Sequence, residues 1–331
     1  MIHYNPSRRS FLKAAQAVTT SMGIFGTLDT DPPEWTLAPT PTTRTLFDVT
    51  VALDGAYAVG GGGVLIERTG GGTWSTILAD GPRGNGNNLL GVDVTADGEY
   101  IWFVGASGTV GTYDIHGCGC GCRVTDLSEP DDCTNNFRDI AVTGHGGNAT
   151  VVIADESGQI HRSQDDGDSW ETLTPGDGSS IPAIDFHATG RGHAADTSQS
   201  TFATDVDQTW ERFGIEDRDE SLYGLDSNGT DAVWVCSQDG QILEYDGRWS
   251  VASLGDCRLR DIEVRRDRSD GLTVGASGHV FRYTQVWNAE TTPSEENLHA
   301  VTLGSADDRA FSTHDTVPEL AVGAFGTILE R

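Results

Sequence analysis

Seven short segments with one residue pattern recur along the chain, and they constrain its fold more than any other feature. Each begins with an apolar residue, has Asp, Gly or Ala third and an aliphatic residue fourth. The segments are LFDVTV from Leu46, LLGVDV from Leu89, FRDIAV from Phe137, IPAIDF from Ile181, LYGLDS from Leu222, LRDIEV from Leu259 and LHAVTL from Leu298. Their starts lie 37 to 48 residues apart in a chain with 42 glycines. Such a period in a glycine-rich sequence is typical of a β-propeller with four-stranded blades.

Three further strands are predicted after each segment, in the same order. The second strand ends at a tight glycine turn, as in VGASG from Val104 and again from Val274. Glycine supplies the positive φ that such turns need. A third strand follows, and a fourth strand led by tryptophan closes most units. The tryptophans at this position are Trp35, Trp74, Trp170, Trp210, Trp249 and Trp287. This regularity indicates packing residues rather than residues that stack on a ligand.

The seventh unit has only three strands before Arg331, and a stray fourth strand precedes the first unit. This stretch is EWTLAP, with Trp35 and Leu37. We expect a strand at 34–38 to pair with 327–331 and close the ring, which removes an exposed sheet edge. The sequence therefore predicts an all-β, seven-bladed propeller of antiparallel blades over residues 31–331.

The charge of the chain excludes some partners. The net charge is −29, from 50 acidic and 21 basic residues, and Lys13 is the one lysine. Such a field repels nucleic acid and anionic lipid. High acidity with almost no lysine is typical of halophilic, haloarchaeal-like proteins, in which concentrated salt screens self-repulsion over a few ångströms. An ordinary acidic secreted protein is the alternative.

The first thirty residues predict an export signal. SRRSFLK, from Ser7, matches the twin-arginine pattern, with Arg8 and Arg9 as the pair. The mildly apolar stretch 14–28 that follows is too short and polar to span a bilayer, which needs about 20 apolar residues. We therefore interpret residues 1–30 as a signal peptide and linker, and expect an extracellular or cell-surface location with no transmembrane segment in the mature chain.

SQDDGDSW, from Ser163 to Trp170, is an acidic turn of the form S-x-D-x-G-x-[ST]-W. With this turn the repeat resembles the BNR/Asp-box repeat, and the unit L-x-D-[IV], VGxxG and DGGxTW is similar to that of the photosystem II assembly and stability factor family. The resemblance covers 35–331 and implies a seven-bladed propeller that binds or assembles another protein. It also implies a structural turn between third and fourth strands, formed by Ser163, Asp165, Gly167, Ser169 and Trp170. A photosystem role is not carried over, because only the repeat matches.

No catalytic motif stands out, so we expect no enzyme activity. The sequence has no G-x-S-x-G, H-E-x-x-H or P-loop motif. The alternative is a secreted glycan-binding or glycoside-hydrolase-like Asp-box propeller, because hydrolysis needs two placed carboxylates and the acidic residues offer many pairs. No cofactor is expected, apart from a metal ion at the cysteine cluster described next.

The six cysteines leave three states open. Cys118, Cys120, Cys122 and Cys133 lie close in sequence, and Cys236 and Cys257 lie far downstream. An even number of cysteines in an exported protein favours disulfides, and Cys236 and Cys257 are expected on one face of the ring. The first four form an alternative thiolate metal site, although their spacing is tighter than usual for zinc. Free thiols are the third state.

A positive cluster is expected at the channel mouth. Propellers bind with the residues around the central channel, and the second residue of each first strand lies near its opening. There the sequence places a cluster consisting of Arg138, Tyr223, Arg258, Arg260 and His299. Arginine suits bidentate recognition of carboxylates on a protein partner. The alternative is internal pairing, of Arg138 with Asp139 and of Arg260 with Asp261 or with an acidic residue of a neighbouring blade. We expect a monomer.

Overall fold

The computed structural model describes residues 34–117, 123–205, 209–215, 221–304 and 316–331. These residues form seven four-stranded antiparallel sheets, which confirms the predicted seven-bladed propeller. No helix within these ranges has the length and apolar character to cross a membrane.

Each blade is a meander in which neighbouring strands in sequence are neighbours in the sheet. The strands, blade by blade, are as follows: β2 Leu46–Ala52, β3 Gly55–Gly60, β4 Val64–Arg68 and β5 Trp74–Leu78 in the first; β6 Leu89–Val94, β7 Tyr100–Gly105, β8 Val110–Asp114 and β9 Val124–Asp126 in the second; β10 Phe137–Thr143, β11 Thr150–Asp155, β12 Ile160–Ser163 and β13 Glu171–Leu173 in the third; β14 Ala183–Ala188, β15 Arg191–Ala195, β16 Thr201–Thr204 and β17 Trp210–Arg212 in the fourth.

The remaining blades follow the same order. Their strands are β18 Leu222–Gly229, β19 Ala232–Ser237, β20 Gln241–Tyr245 and β21 Trp249–Ser253 in the fifth; β22 Leu259–Val264, β23 Gly271–Gly275, β24 Val280–Tyr283 and β25 Trp287–Glu290 in the sixth; β26 Leu298–Thr302, β27 Leu320–Gly323, β28 Ile328–Glu330 and the N-terminal β1 Thr36–Leu37 in the seventh. Single 3-10 turns lie at Gly61–Gly63, Ala106–Gly108, Pro130–Asp132, Ala276–Gly278 and Ala324–Gly326.

The N-terminal strand closes the ring as predicted. In β1, Thr36 pairs with Glu330 and Leu37 with Leu329. The preceding Trp35 is 4% exposed, and its indole N–H donates to Glu290 Oε2 at 2.5 Å. The two ends of the described chain are therefore joined by both hydrogen bonds and a buried aromatic ring.

The core is divided into seven apolar clusters, and each lies between two adjacent blades. The second strands are buried on both faces, which explains why β3 and β23 are buried at every position. Trp102 in β7 and Trp234 in β19 fill two of these clusters and are almost completely buried. Burial of apolar area between blades is the main force that holds the ring.

The first strands begin at the predicted residues in six blades. In the fourth blade, β14 begins at Ala183 instead of Ile181. Pro182 intervenes, and proline has no N–H to donate to a neighbouring strand.

Candidate functional site

β-bulges direct one residue in each of six blades towards the channel mouth. In six blades, the pairing of the first and second strands skips the second residue of the first strand. The extra residue of a bulge has no partner, so the strand bends and its side chain is re-aimed. The six residues are Phe47, Leu90, Arg138, Tyr223, Arg260 and His299. Together with Pro182 they line a cavity of about 90 Å³. We call this opening the mouth, and include the exposed neighbour Arg258 in it.

Aromatic rings hold two of the polar groups at the mouth. The Arg260 guanidinium lies 5.1 Å from the centroid of the Tyr223 ring, a cation–π contact. His299 meets Phe47 edge-on, with ring centroids 5.5 Å apart. Burial, together with the charge of Arg260, lowers the pKa of His299 to about 4. At neutral pH the positive charge of the mouth therefore comes from its arginines.

The mouth arginines have no acidic partner among the described residues. None of Arg138, Arg258 and Arg260 lies within 4.0 Å of a carboxylate oxygen there. Burial lowers the pKa of the Arg260 guanidinium, and the charges of Arg258 and Arg138 lower it further. Three like charges are thus concentrated at one opening of an acidic protein.

The expected alternative, pairing of Arg138 with Asp139 and of Arg260 with Asp261, is not what the structure has. The Asp139 carboxylate accepts the backbone N–H groups of Ile140 and Ile184, both at 2.8 Å. Asp261 accepts those of Ile262 and Val301 in the same way. These carboxylates link adjacent blades, and their oxygens are committed to the backbone.

Below the mouth the channel becomes acidic. Asp48, Asp139 and Asp261 line both the mouth and a wider cavity of about 520 Å³ beyond it, which Asp93 and Asp185 also line. Burial, reinforced by neighbouring carboxylates, raises the pKa of Asp139 to about 8 and that of Asp48 well above its ordinary value. Burial raises the pKa of Asp261 to about 6. The channel therefore runs from a cationic mouth into a carboxylate-lined interior.

The Asp-box turn joins β12 to β13, and its polar groups serve the turn itself. Asp165 Oδ1 accepts from the backbone N–H of Ser169 at 2.9 Å and from the Ser163 hydroxyl at 2.8 Å. Gly167 has a φ of +90°, and its carbonyl accepts from the Trp170 indole at 3.1 Å. These hydrogen bonds are those of a structural turn and leave Asp165 at the surface of the third blade.

Three of the six cysteines, Cys133, Cys236 and Cys257, lie within the described residues. Cys236 and Cys257 are buried in one apolar cluster between the fifth and sixth blades. Both are free thiols in this structure, and the disulfide between them stays a prediction from the sequence. Cys133 is also a free thiol, and is half-buried before β10. Cys118, Cys120 and Cys122 lie outside the described residues, as do Arg8 and Arg9 of the export signal.

Sequence reasoning missed Phe325. This side chain is 71% exposed, and its φ of +56° is a costly conformation for a bulky residue. It lies in the turn between β27 and β28, on the same face of the ring as the mouth. Gly62, Ser107 and Ser277 hold the same left-handed position in three other blades. The signal that could have found it is a phenylalanine where the repeat has glycine or serine.

Comparisons with known proteins show the fold. No protein-family model matches the chain, and no curated protein matches it. A solved structure of YCF48 bound to a D1 peptide is 20% identical, with a TM-score of 0.68, over 91% of this chain and 97% of that one. YCF48 from Cyanidioschyzon merolae is 16% identical, with a TM-score of 0.66, over 90% and 98%. A catalytically inactive virginiamycin B lyase from Staphylococcus aureus, with quinupristin, is 14% identical, with a TM-score of 0.72, over 90% and 100%.

Proposed function

We propose that this propeller is non-catalytic and binds a protein partner through the mouth. The observation that carries the proposal is the set of arginines at the mouth, Arg138, Arg258 and Arg260, which have no carboxylate partner among the described residues. Other described arginines, such as Arg191 and Arg248, also lack a carboxylate partner, but at the mouth three arginines lie close enough for the charges of Arg258 and Arg138 to lower the pKa of Arg260. Guanidinium groups offer paired N–H donors that match a carboxylate. The partner therefore presents acidic side chains or a chain terminus to this face.

Phe325 supplies an apolar contact on the same face. An exposed aromatic side chain in a strained conformation costs stability, and such strain is found where a residue serves binding. Aromatic and arginine side chains together are also the residues that dominate binding energy in protein interfaces. The YCF48 structure with its D1 peptide supports peptide binding by a propeller of this architecture.

The test compares two double variants with the same change in charge. Arg138→Ala/Arg260→Ala removes two mouth arginines. Arg191→Ala/Arg248→Ala removes two exposed arginines on the opposite face of the ring, at the start of β15 and just before β21. We expect a partner that co-purifies from the native host at native salt, and binds the purified protein, to be lost only with the mouth variant. Equal loss with both variants would reduce the effect to net charge and contradict the proposal.

Glycan activity is the competing function. Its structural support is the raised pKa of Asp139 and Asp261, since a general acid needs such a shift. Their hydrogen bonds to the backbone of the next blade favour a structural role instead. Hydrolysis of a glycan panel by the wild type but not by Asp139→Asn would favour the enzyme.

We further propose export through the twin-arginine pathway and a cell-surface or extracellular location. The support is the SRRSFLK stretch with Arg8 and Arg9, and the acidic, lysine-poor composition. Arg8→Lys/Arg9→Lys should retain the protein inside the cell, whereas Arg44→Lys should not. Equal export of both variants would contradict this route.

A further inference from the structure

We propose that Cys133, Asp155 and His161 form a zinc-binding site in the third blade. Within the residues described, these are the one group of three metal-ligating side chains whose ligand atoms all lie within 4.8 Å of one another. The Cys133 Sγ atom is 3.9 Å from His161 Nε2, and His161 Nε2 is 3.1 Å from Asp155 Oδ2. The site is distinct from the four-cysteine cluster considered from the sequence, with which it shares only Cys133.

The spacing of the three atoms suits a tetrahedral ion. Zinc binds sulfur at about 2.3 Å and imidazole nitrogen or carboxylate oxygen at about 2.0–2.2 Å, which places tetrahedral ligand atoms roughly 3.3–3.6 Å apart. The two separations that involve His161 bracket this range, and the third, from Cys133 Sγ to the Asp155 carboxylate, is no more than 4.8 Å, so zinc would draw these ligands together by about 1 Å or less. Thiolate, imidazole and carboxylate are also the donor atoms that zinc prefers.

The surrounding residues hold the ligands as a metal site requires. His161 Nδ1 is 3.1 Å from the Thr172 hydroxyl, which can accept a hydrogen bond from Nδ1–H and so leave Nε2 free for the ion. Asp155 Oδ1 accepts the backbone N–H groups of Ser157 and Gln159, both at 2.8 Å. Outer hydrogen bonds of this kind orient ligands and strengthen metal binding.

The burial and the charge of the three residues also suit a zinc ion. Asp155 is completely buried and His161 is 3% exposed, whereas Cys133 is half-buried and opens the site to solvent. On binding, the Cys133 thiol releases its proton to solvent, and His161 binds the ion through Nε2 with its proton on Nδ1. One thiolate and one carboxylate then neutralise the two charges of Zn²⁺, so no net charge is buried. Three protein ligands leave a fourth position for water or for a group of a partner.

The test uses cobalt as a spectroscopic probe for zinc. The background protein is the full chain carrying Cys118→Ser/Cys120→Ser/Cys122→Ser, reduced and stripped of metal. We expect it to bind one Co²⁺ per chain with a cobalt–thiolate charge-transfer band, and Zn²⁺ to displace the Co²⁺. Adding Cys133→Ser should abolish the band, whereas adding Cys257→Ser should leave it unchanged. Thr172→Val should weaken affinity by about 10- to 100-fold while the band persists.

Two outcomes would overturn the site: no band in the background protein, or a band that survives Cys133→Ser. X-ray absorption of the zinc-loaded background protein gives a measurement that needs no variant of the ligands themselves. We expect one sulfur at about 2.3 Å and lighter ligands at about 2.0–2.2 Å. A zinc spectrum without sulfur would contradict the proposal.

Discussion

The Asp139 carboxylate links two blades, because it accepts backbone N–H groups from Ile140 in its own blade and Ile184 in the next. Asp48 and Asp261 do the same in two other blades, and Asp93 and Asp185 do so one layer further along the channel. At each blade interface, backbone N–H groups take the place of water as hydrogen-bond donors to these carboxylates. The aspartates that recur in the sequence repeat therefore serve to join neighbouring blades of the ring.

This role makes stability depend on pH. Burial raises the pKa of Asp139 to about 8 in the fold, against 3.8 ordinarily. The unfolded chain therefore ionises first, so the stability from the neutral carboxyl is complete below about pH 4 and is lost as the pH rises to about 8. Asp139→Asn should lower stability at pH 4 by about 1–3 kcal/mol, because one N–H loses its acceptor. It should also flatten the decline towards pH 8, as measured by thermal unfolding at constant salt.

Asp165→Asn is the matched control for that experiment. Hydrogen bonds from the Ser169 hydroxyl and backbone lower the pKa of the exposed Asp165, so its contribution to stability is lost as the pH falls. The two variants should therefore change the pH profile in opposite directions. If Asp139→Asn kept the wild-type slope between pH 4 and 8, the buried-carboxyl account would be wrong.

We expect Phe325 to lower the stability of the fold while it provides an apolar contact for the partner. Phe325→Gly should raise stability by up to about 1 kcal/mol, because glycine adopts the left-handed backbone without strain, although it is more flexible when unfolded. The same variant should weaken partner binding. Ser277→Gly, in the same turn of the sixth blade, should have the same sign in thermal unfolding and leave binding unchanged. Binding that survives Phe325→Gly would remove Phe325 from the docking face.

At the scale of the strand, the sequence predicted which elements form but not how their side chains are aimed. The period of the repeat located the first strands, and only Pro182 shifted a start. The bulges were not predictable, because the extra residue is defined by pairing with a second strand and not by the residue type. Phe47, Arg138 and His299 occupy the same bulge with unrelated side chains. The contacts of Cys133 with Asp155 and His161 likewise depend on the meeting of three separate segments.

The closing strand gives a direct test at this scale. Deletion of 1–38 removes Trp35, which is almost completely buried, and the whole of β1. We expect the free energy of unfolding to fall by about 3–5 kcal/mol, as for loss of a buried tryptophan in a core. Deletion of 1–33 is the control, because it keeps both features. Equal thermal unfolding of the two truncated chains in high salt would show that the ring does not depend on β1.

At the scale of the whole molecule, the ring is joined by ion pairs within an acidic protein. Arg282 contacts Asp270, Glu290 and Glu319, and Arg331 also reaches Glu290 and Glu319. This network joins the sixth and seventh blades beside the closing strand. Its side chains are only 12–21% exposed, so salt screens them less than it screens surface charges.

Salt should therefore stabilise the fold despite this network. With a net charge of −29, repulsion among exposed carboxylates opposes the compact state, and screening shortens from about 10 Å at 0.1 M salt to about 3 Å at 1 M. The melting temperature should rise over that range. Glu295→Gln/Glu296→Gln, which removes two exposed charges, should melt higher than the wild type at 0.1 M and by a smaller margin at 1 M. If the difference in melting temperature between variant and wild type were the same at both salt concentrations, the variant would act by something other than charge. A melting temperature that falls with salt would mean that the ion pairs outweigh the repulsion.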